Sequence, residues 1–163
     1  VNGLLRQVAV EDTLCFEDGS HDLRLGQNGS AEVTYQITRE DAKYLSIRLH
    51  AYVDFRGTAH PSEWERGVTV DRETGERLSL YDVLDFDGDG AALLQAYDWT
   101  PLWTHDSDRQ SFLDHLAGEY QDYDGHVSDF YLTEDKLGLI VSFARYYTLL
   151  ETDLNTLSLK LAS

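Results

Sequence analysis

The sequence is poor in several things, and each shortage narrows the field. It holds one cysteine, Cys15, so it forms no internal disulfide and no cysteine-based zinc site. Set between Leu14 and Phe16, that thiol reads as a small core filler. Methionine is absent and the chain opens on Val1, so it is expected to be a piece of something longer. No run of about eighteen apolar residues occurs, and no basic segment leads into an apolar one. Basic residues are the largest shortage: 13 Lys and Arg stand against 30 Asp and Glu, for a net charge of −17 at pH 7. A bare nucleic-acid binder, or a segment that touches an anionic membrane directly, relies on positive surface and is excluded. The balance favours cationic partners, or solubility in a salty or acidic exterior.

What is present is the material of a core. The chain has 163 residues, of which 42% are hydrophobic and 12% aromatic, far from a disordered composition. One domain of this size buries roughly 70% of its unfolded surface and needs no staple to fold.

Patterning then assigns elements. Residues 1–30 read as an N-terminal strand and loops of the same domain, with Leu4, Leu5, Val8 and Val10 as the apolar members of the first segment. Val33, Tyr35 and Ile37 alternate with polar neighbours, and Leu45, Ile47, Leu49, Ala51, Val53 and Phe55 repeat this at greater length. Period two marks strands with one buried face, and the short break at Arg39 to Lys43 makes the pair an antiparallel hairpin. A further strand is expected over Trp64 to Asp71, and a capped short helix where Ser79 is followed three residues on by Asp82. Helices are expected over Ala91 to Tyr97 and Ser111 to Tyr120. Phe130 to Thr133, Leu137 to Phe143 and Asn155 to Leu161 read as strands. The order predicts an α+β fold: one small antiparallel sheet of about four to six strands with helices packed on one face.

Several constellations offer chemistry. Asp85-Phe86-Asp87-Gly88-Asp89-Gly90 opens like a calcium loop, with Asp85, Asp87 and Asp89 as oxygen donors, but Ala96 stands where the bidentate glutamate belongs. It reads either as an acidic turn or as a weak calcium site, and no other cofactor is expected. His60, beside Pro61, titrates near neutrality, yet no Gly-x-Ser-x-Gly elbow accompanies it. The remaining histidines show no zinc-protease spacing. Tyr97, Trp99 and Trp103 cluster around Pro101, either as anchors that hold a loop on the core or as an exposed recognition platform. From His105 to Asp135 there are nine acids and one base, Arg109, a solvated face or a docking surface for a basic protein.

Two stretches carry a family resemblance. Tyr52-Val53-Asp54-Phe55-Arg56-Gly57-Thr58-Ala59-His60-Pro61, continuing through Val68 to Leu84, resembles the central signature of the bacterial domain of unknown function DUF3298. There a Gly-Gly-Ala-His step precedes a strand, a Thr-Gly turn and a Leu-Ser-Asp-Leu-Phe segment. Phe130-Tyr131-Leu132-Thr133-Glu134-Asp135 resembles the family's second signature. Thr58 replaces the second glycine, and Ala144 to Leu150 lacks the prolines and glycine of a loop the family generally carries there. The resemblance implies a DUF3298-like domain over 31–163 and an α+β fold. It also implies an extracytoplasmic location as part of a larger bacterial envelope protein.

By that resemblance the expected function is non-catalytic binding or sensing of a peptidoglycan fragment or a basic protein such as lysozyme. The binding residues expected are His60 and Arg56 at one edge, Trp99 and Trp103 as aromatic anchors, and Asp122 with Asp124 as electrostatic contributors. The alternatives are a hydrolase of peptidoglycan or glycan, which needs paired carboxylates or His60 beside one, and a calcium-stabilised accessory domain.

Overall fold

The computed structural model describes residues 2–8, 29–55, 61–85, 90–102, 127–143 and 146–160. In chain order these form α1 (Asn2–Gln7), β1 (Gly29–Glu40), β2 (Tyr44–Phe55), β3 (Ser62–Asp71), α2 (Leu80–Val83), α3 (Gly90–Ala96), β4 (Thr100–Pro101), β5 (Val127–Leu132), β6 (Lys136–Phe143), β7 (Tyr146–Asp153) and a 3₁₀ turn (Leu154–Thr156).

The alternation of residues 31–55 becomes the β1–β2 hairpin, and β3 extends it as an antiparallel meander. Register places Leu45, Ile47 and Leu49 on one face with Val68 and Val70. Leu4 and Val8 pack there as well. The first segment is therefore a helix and not the expected strand: Leu4 and Val8 are four apart, so a helical turn stacks both on the same sheet face.

Asp41 organises the β1–β2 turn. Its carboxylate accepts hydrogen bonds from the amides of Tyr44 (2.7 Å) and Lys43 (2.8 Å) and from Arg39 Nε (2.6 Å). The Tyr44 amide, with help from Arg39 and Lys43 and against partial burial, lowers its pKa from 3.8 to about 2. The folded value lies below the unfolded one. The carboxylate therefore stabilises the fold above its ordinary pKa, and the gain is lost as pH falls towards 2. Asp41→Asn is expected to cost about 1 kcal/mol at neutral pH, solvent screening keeping the effect modest. It should also flatten the acid limb of a stability-against-pH curve measured by urea melts; an unchanged limb would show that Asp41 does not set it.

β4 to β7 make a second antiparallel sheet in the order β4-β7-β6-β5. Thus the expected single sheet of four to six strands is two sheets, one of three strands and one of four. The reason lies at the seam. β5 does not extend the first ladder; its Leu132 amide is taken instead by the Ser46 hydroxyl (2.8 Å), which also bonds Thr69 Oγ1 (2.8 Å). Gly67 of β3 faces the Phe130 backbone so closely that any Cβ there would overlap the carbonyl. A side-chain hydroxyl satisfies the strand edge, and a missing side chain lets the backbones approach.

One face of the second sheet builds the larger core. Phe130, Leu132, Leu137, Leu139, Val141 and Leu150 pack against Val83 and Leu84 at α2 and Leu93 and Leu94 of α3, together with Trp99 and Leu157. α2 starts as the sequence implies: the Ser79 amide and hydroxyl both donate to the Asp82 carboxylate, at 2.7 and 2.6 Å. α3 falls where a helix is expected, whereas the expected helix at Ser111 to Tyr120 lies outside the described residues. Asn155 to Leu161, expected as a strand, gives over its described residues the end of the 3₁₀ turn and one isolated bridge, Leu159 to Leu84.

Candidate functional site

The two sheets meet in a polar seam. Arg48 of β2 reaches Glu65 of β3, Nε to Oε2 at 3.2 Å, and its guanidinium carbon lies 5.5 Å from the Tyr131 ring centroid. Tyr131, buried on β5, donates its hydroxyl to Glu151 Oε1 (2.8 Å), and Lys136 Nζ lies 3.5 Å from Glu151 Oε2. The Tyr131 ring lies over Gly138, its cross-strand partner on β6. Further along, Asp129 sits between Arg77 (2.8 Å) and Arg66 (3.6 Å), and Arg77 also donates to the Gly67 carbonyl.

The electrostatics follow from burial. Desolvation raises the Glu65 carboxyl above its ordinary pKa, with Arg48 and then His50 pulling it back. Desolvation likewise raises Asp129 against Arg77 and Arg66. Burial, followed by the hydrogen bond to Glu151, pushes the Tyr131 phenol well up, so it remains a donor. Raised carboxyls are the kind a general acid uses, but here both face arginines within the sheet–sheet junction. What this arrangement does chemically is to lock two sheets in one relative position. Among the described residues Glu65 Oε2, Asp129 Oδ2 and Arg66 Nε have no hydrogen-bond partner, so the lock combines close charge pairs with directed bonds such as Arg77 to Asp129 Oδ1 and Leu132 to Ser46.

Of the expected site residues, Trp99 is 1% exposed and sits in the core, its indole N–H donating to the Leu93 carbonyl (3.3 Å) and its ring edge-on to Tyr97 at 6.4 Å. Asp85 is 80% exposed and lies 3.6 Å from Lys160 Nζ. His60, Arg56, Trp103, Asp87, Asp89, Asp122 and Asp124 lie outside the described residues. Among the described residues no group of three or more His, Cys, Asp or Glu is placed to hold a metal ion, and no helix is long and apolar enough to cross a membrane.

The seam residues Arg48, Glu65, Asp129, Tyr131 and Glu151 were not singled out from the sequence. A usable signal existed: Gly67 and Gly138 each stand inside a strand, and an isolated strand glycine marks close backbone or ring approach.

No protein-family model matches the chain, and no curated protein matches it. Among solved structures it is similar to a DUF3298-family protein from Pseudomonas aeruginosa PAO1, whose crystal structure was determined at 2.15 Å resolution. The superposition has a TM-score of 0.60 at 17% sequence identity and covers 95% of this chain and 75% of that one. The two chains therefore share a fold, and for this chain the shared fold extends over almost its entire length.

Proposed function

We propose that the chain is a non-catalytic binding or sensor domain, displayed outside the cytoplasm as part of a larger bacterial envelope protein. In this reading it recognises a cell-wall fragment or a basic protein such as lysozyme. The observation that carries the reading is the fold shared with the DUF3298-family structure, joined to the two sequence signatures around His60 and Phe130. The net charge of −17 supports a cationic partner, since such a field speeds encounter with a basic protein. His60, Arg56, Trp103, Asp122 and Asp124 are the residues we assign to the ligand, while Trp99, 1% exposed, is assigned to the core.

Calorimetry against hen lysozyme and soluble peptidoglycan fragments, at low and at about 0.5 M salt, with and without calcium, tests this. Micromolar or tighter binding to lysozyme that salt weakens is the expected result. Silence on both ligands would overturn the sensing role, and a response to calcium alone would turn the reading towards an accessory module held by Asp85, Asp87 and Asp89.

A further inference from the structure

Sheet edges expose unpaired N–H and C=O groups, and proteins ordinarily blunt them with lysine, proline, bulges or a covering element. Most edges described here are treated in this way. The β5 edge gives its Leu132 amide to Ser46. β3 is bridged to Arg77 at Val70, and Thr69 accepts from the Leu78 amide. β4 is only two residues long. β1 is different. Among the described residues its outer side pairs with nothing, and from Gly29 to Ile37 it contains no lysine and no proline, with Glu32 its single charge. Its ladder with β2 runs without interruption over that stretch, and the bulge comes only after Ile37.

The two faces flanking this edge differ in chemistry. On one face Tyr35 is 71% exposed and Ile37 48%, an apolar pair at alternate positions of an edge strand. On the other, register aligns Glu32 with Tyr52 and Glu63, and Ser30 with Asp54. Glu32, Asp54 and Glu63 share that face. Among the described residues the ion-pair partner of Glu63 is His50 (3.7 Å), and neither Glu32 nor Asp54 has one. An incoming strand alternates its side chains between these two faces.

We propose that the β1 edge, Gly29–Ile37, is a strand-addition site for an extended segment in which cationic and apolar residues alternate. The cationic side chains meet Glu32, Asp54 and Glu63, while the apolar ones cover Tyr35 and Ile37, and the backbone completes a fourth strand of the first sheet. A second copy of this chain is disfavoured as the occupant, since pairing would bring together two bodies that each carry −17. The inference deepens the reading of a cationic partner, but its site and mode can fail separately from lysozyme recognition.

The probe is a capped peptide of about ten residues alternating lysine and valine, long enough to span Gly29–Ile37. Three controls accompany it: a peptide of the same composition with lysines and valines in separate blocks, and two peptides N-methylated at alternate residues on one backbone edge or the other. Titration is followed by hydrogen exchange of the intact chain. The expected result is binding by the alternating peptide and about tenfold weaker binding by the block peptide and by one of the N-methylated pair only. New protection should appear in β1, and Tyr35→Lys with Ile37→Lys, both at exposed positions, should remove the binding while leaving the circular dichroism unchanged. Equal binding by all four peptides would overturn the proposal in favour of charge adsorption. No binding would also overturn it, whatever lysozyme does. A stable dimer dissolved by the lysine substitutions would overturn it in favour of self-pairing.

Discussion

Gly67→Ala is expected to lower the melting temperature by roughly 6–12 °C, corresponding to a loss of about 3 kcal/mol for a chain of this length. The cause is geometric. A methyl at Gly67 would occupy the position of the Phe130 carbonyl oxygen, and the nearest atoms there are backbone, which cannot swing aside as the end of a long side chain can. β5 would have to retreat from β3, stretching the Leu132-to-Ser46 bond and loosening Asp129 from Arg66 and Arg77. Alanine also fits strands no worse than glycine, so backbone preference does not account for a loss. Thermal melts of the two proteins check it: a shift of less than about 2 °C would mean the sheets can separate cheaply, and the close approach would then carry no stability.

Tyr131→Ala should be as damaging, at about 4 kcal/mol, while Tyr131→Phe should cost only about 1–2 kcal/mol. The ring does most of the work. It fills the space that Gly138 leaves on the neighbouring strand, packs with Ile140 and Leu149, and supports the Arg48 guanidinium. The hydroxyl contributes one hydrogen bond to Glu151, whose second oxygen is near Lys136. Denaturant unfolding followed by tryptophan fluorescence separates the two parts. If phenylalanine proved as costly as alanine, the hydroxyl and not the ring would be the stabilising group.

Legibility in the sequence followed the alternation of apolar and polar side chains more than final burial. β1 and β2 were readable because apolar and polar residues alternate along them, although Tyr35 and Ile37 of β1 end exposed and Ser46 of β2 is buried on the polar face. β7 was not read as a strand: Leu149 and Leu150 are adjacent and both buried, on opposite faces of the sheet, so no alternation appears. Conversely, Leu157, Leu159 and Leu161 alternate like a strand, yet Leu159 is exposed and the chain turns through a 3₁₀ helix just before it. The division into two sheets was hidden for another reason. Alternation shows which residues are buried but not which strand edges pair, and here that choice falls to one hydroxyl at Ser46 and one absent side chain at Gly67. The candidate seam was equally hidden, since its charged residues come from β2, β3, the segment just after β3, β5, β6 and β7 and only the packing of one sheet on the other brings them together. Trp99 was legible as an aromatic worth noting, but sequence left open the choice between core anchor and platform that its burial describes.

The seam joins residues far apart along the chain: Ser46 and Leu132 are 86 positions apart. By contrast β1, β2 and β3 pair in sequence order, as do β5, β6 and β7. Each meander closes through connections that cost little chain entropy, so each can assemble early, and docking of one on the other comes last. Contacts made after the folding barrier change the rate of unfolding far more than the rate of folding. For Gly67→Ala this places the lost stability in the unfolding arm of a chevron plot. The refolding arm should stay close to that of the parent chain, and a slowed refolding arm would instead put the junction inside the folding nucleus.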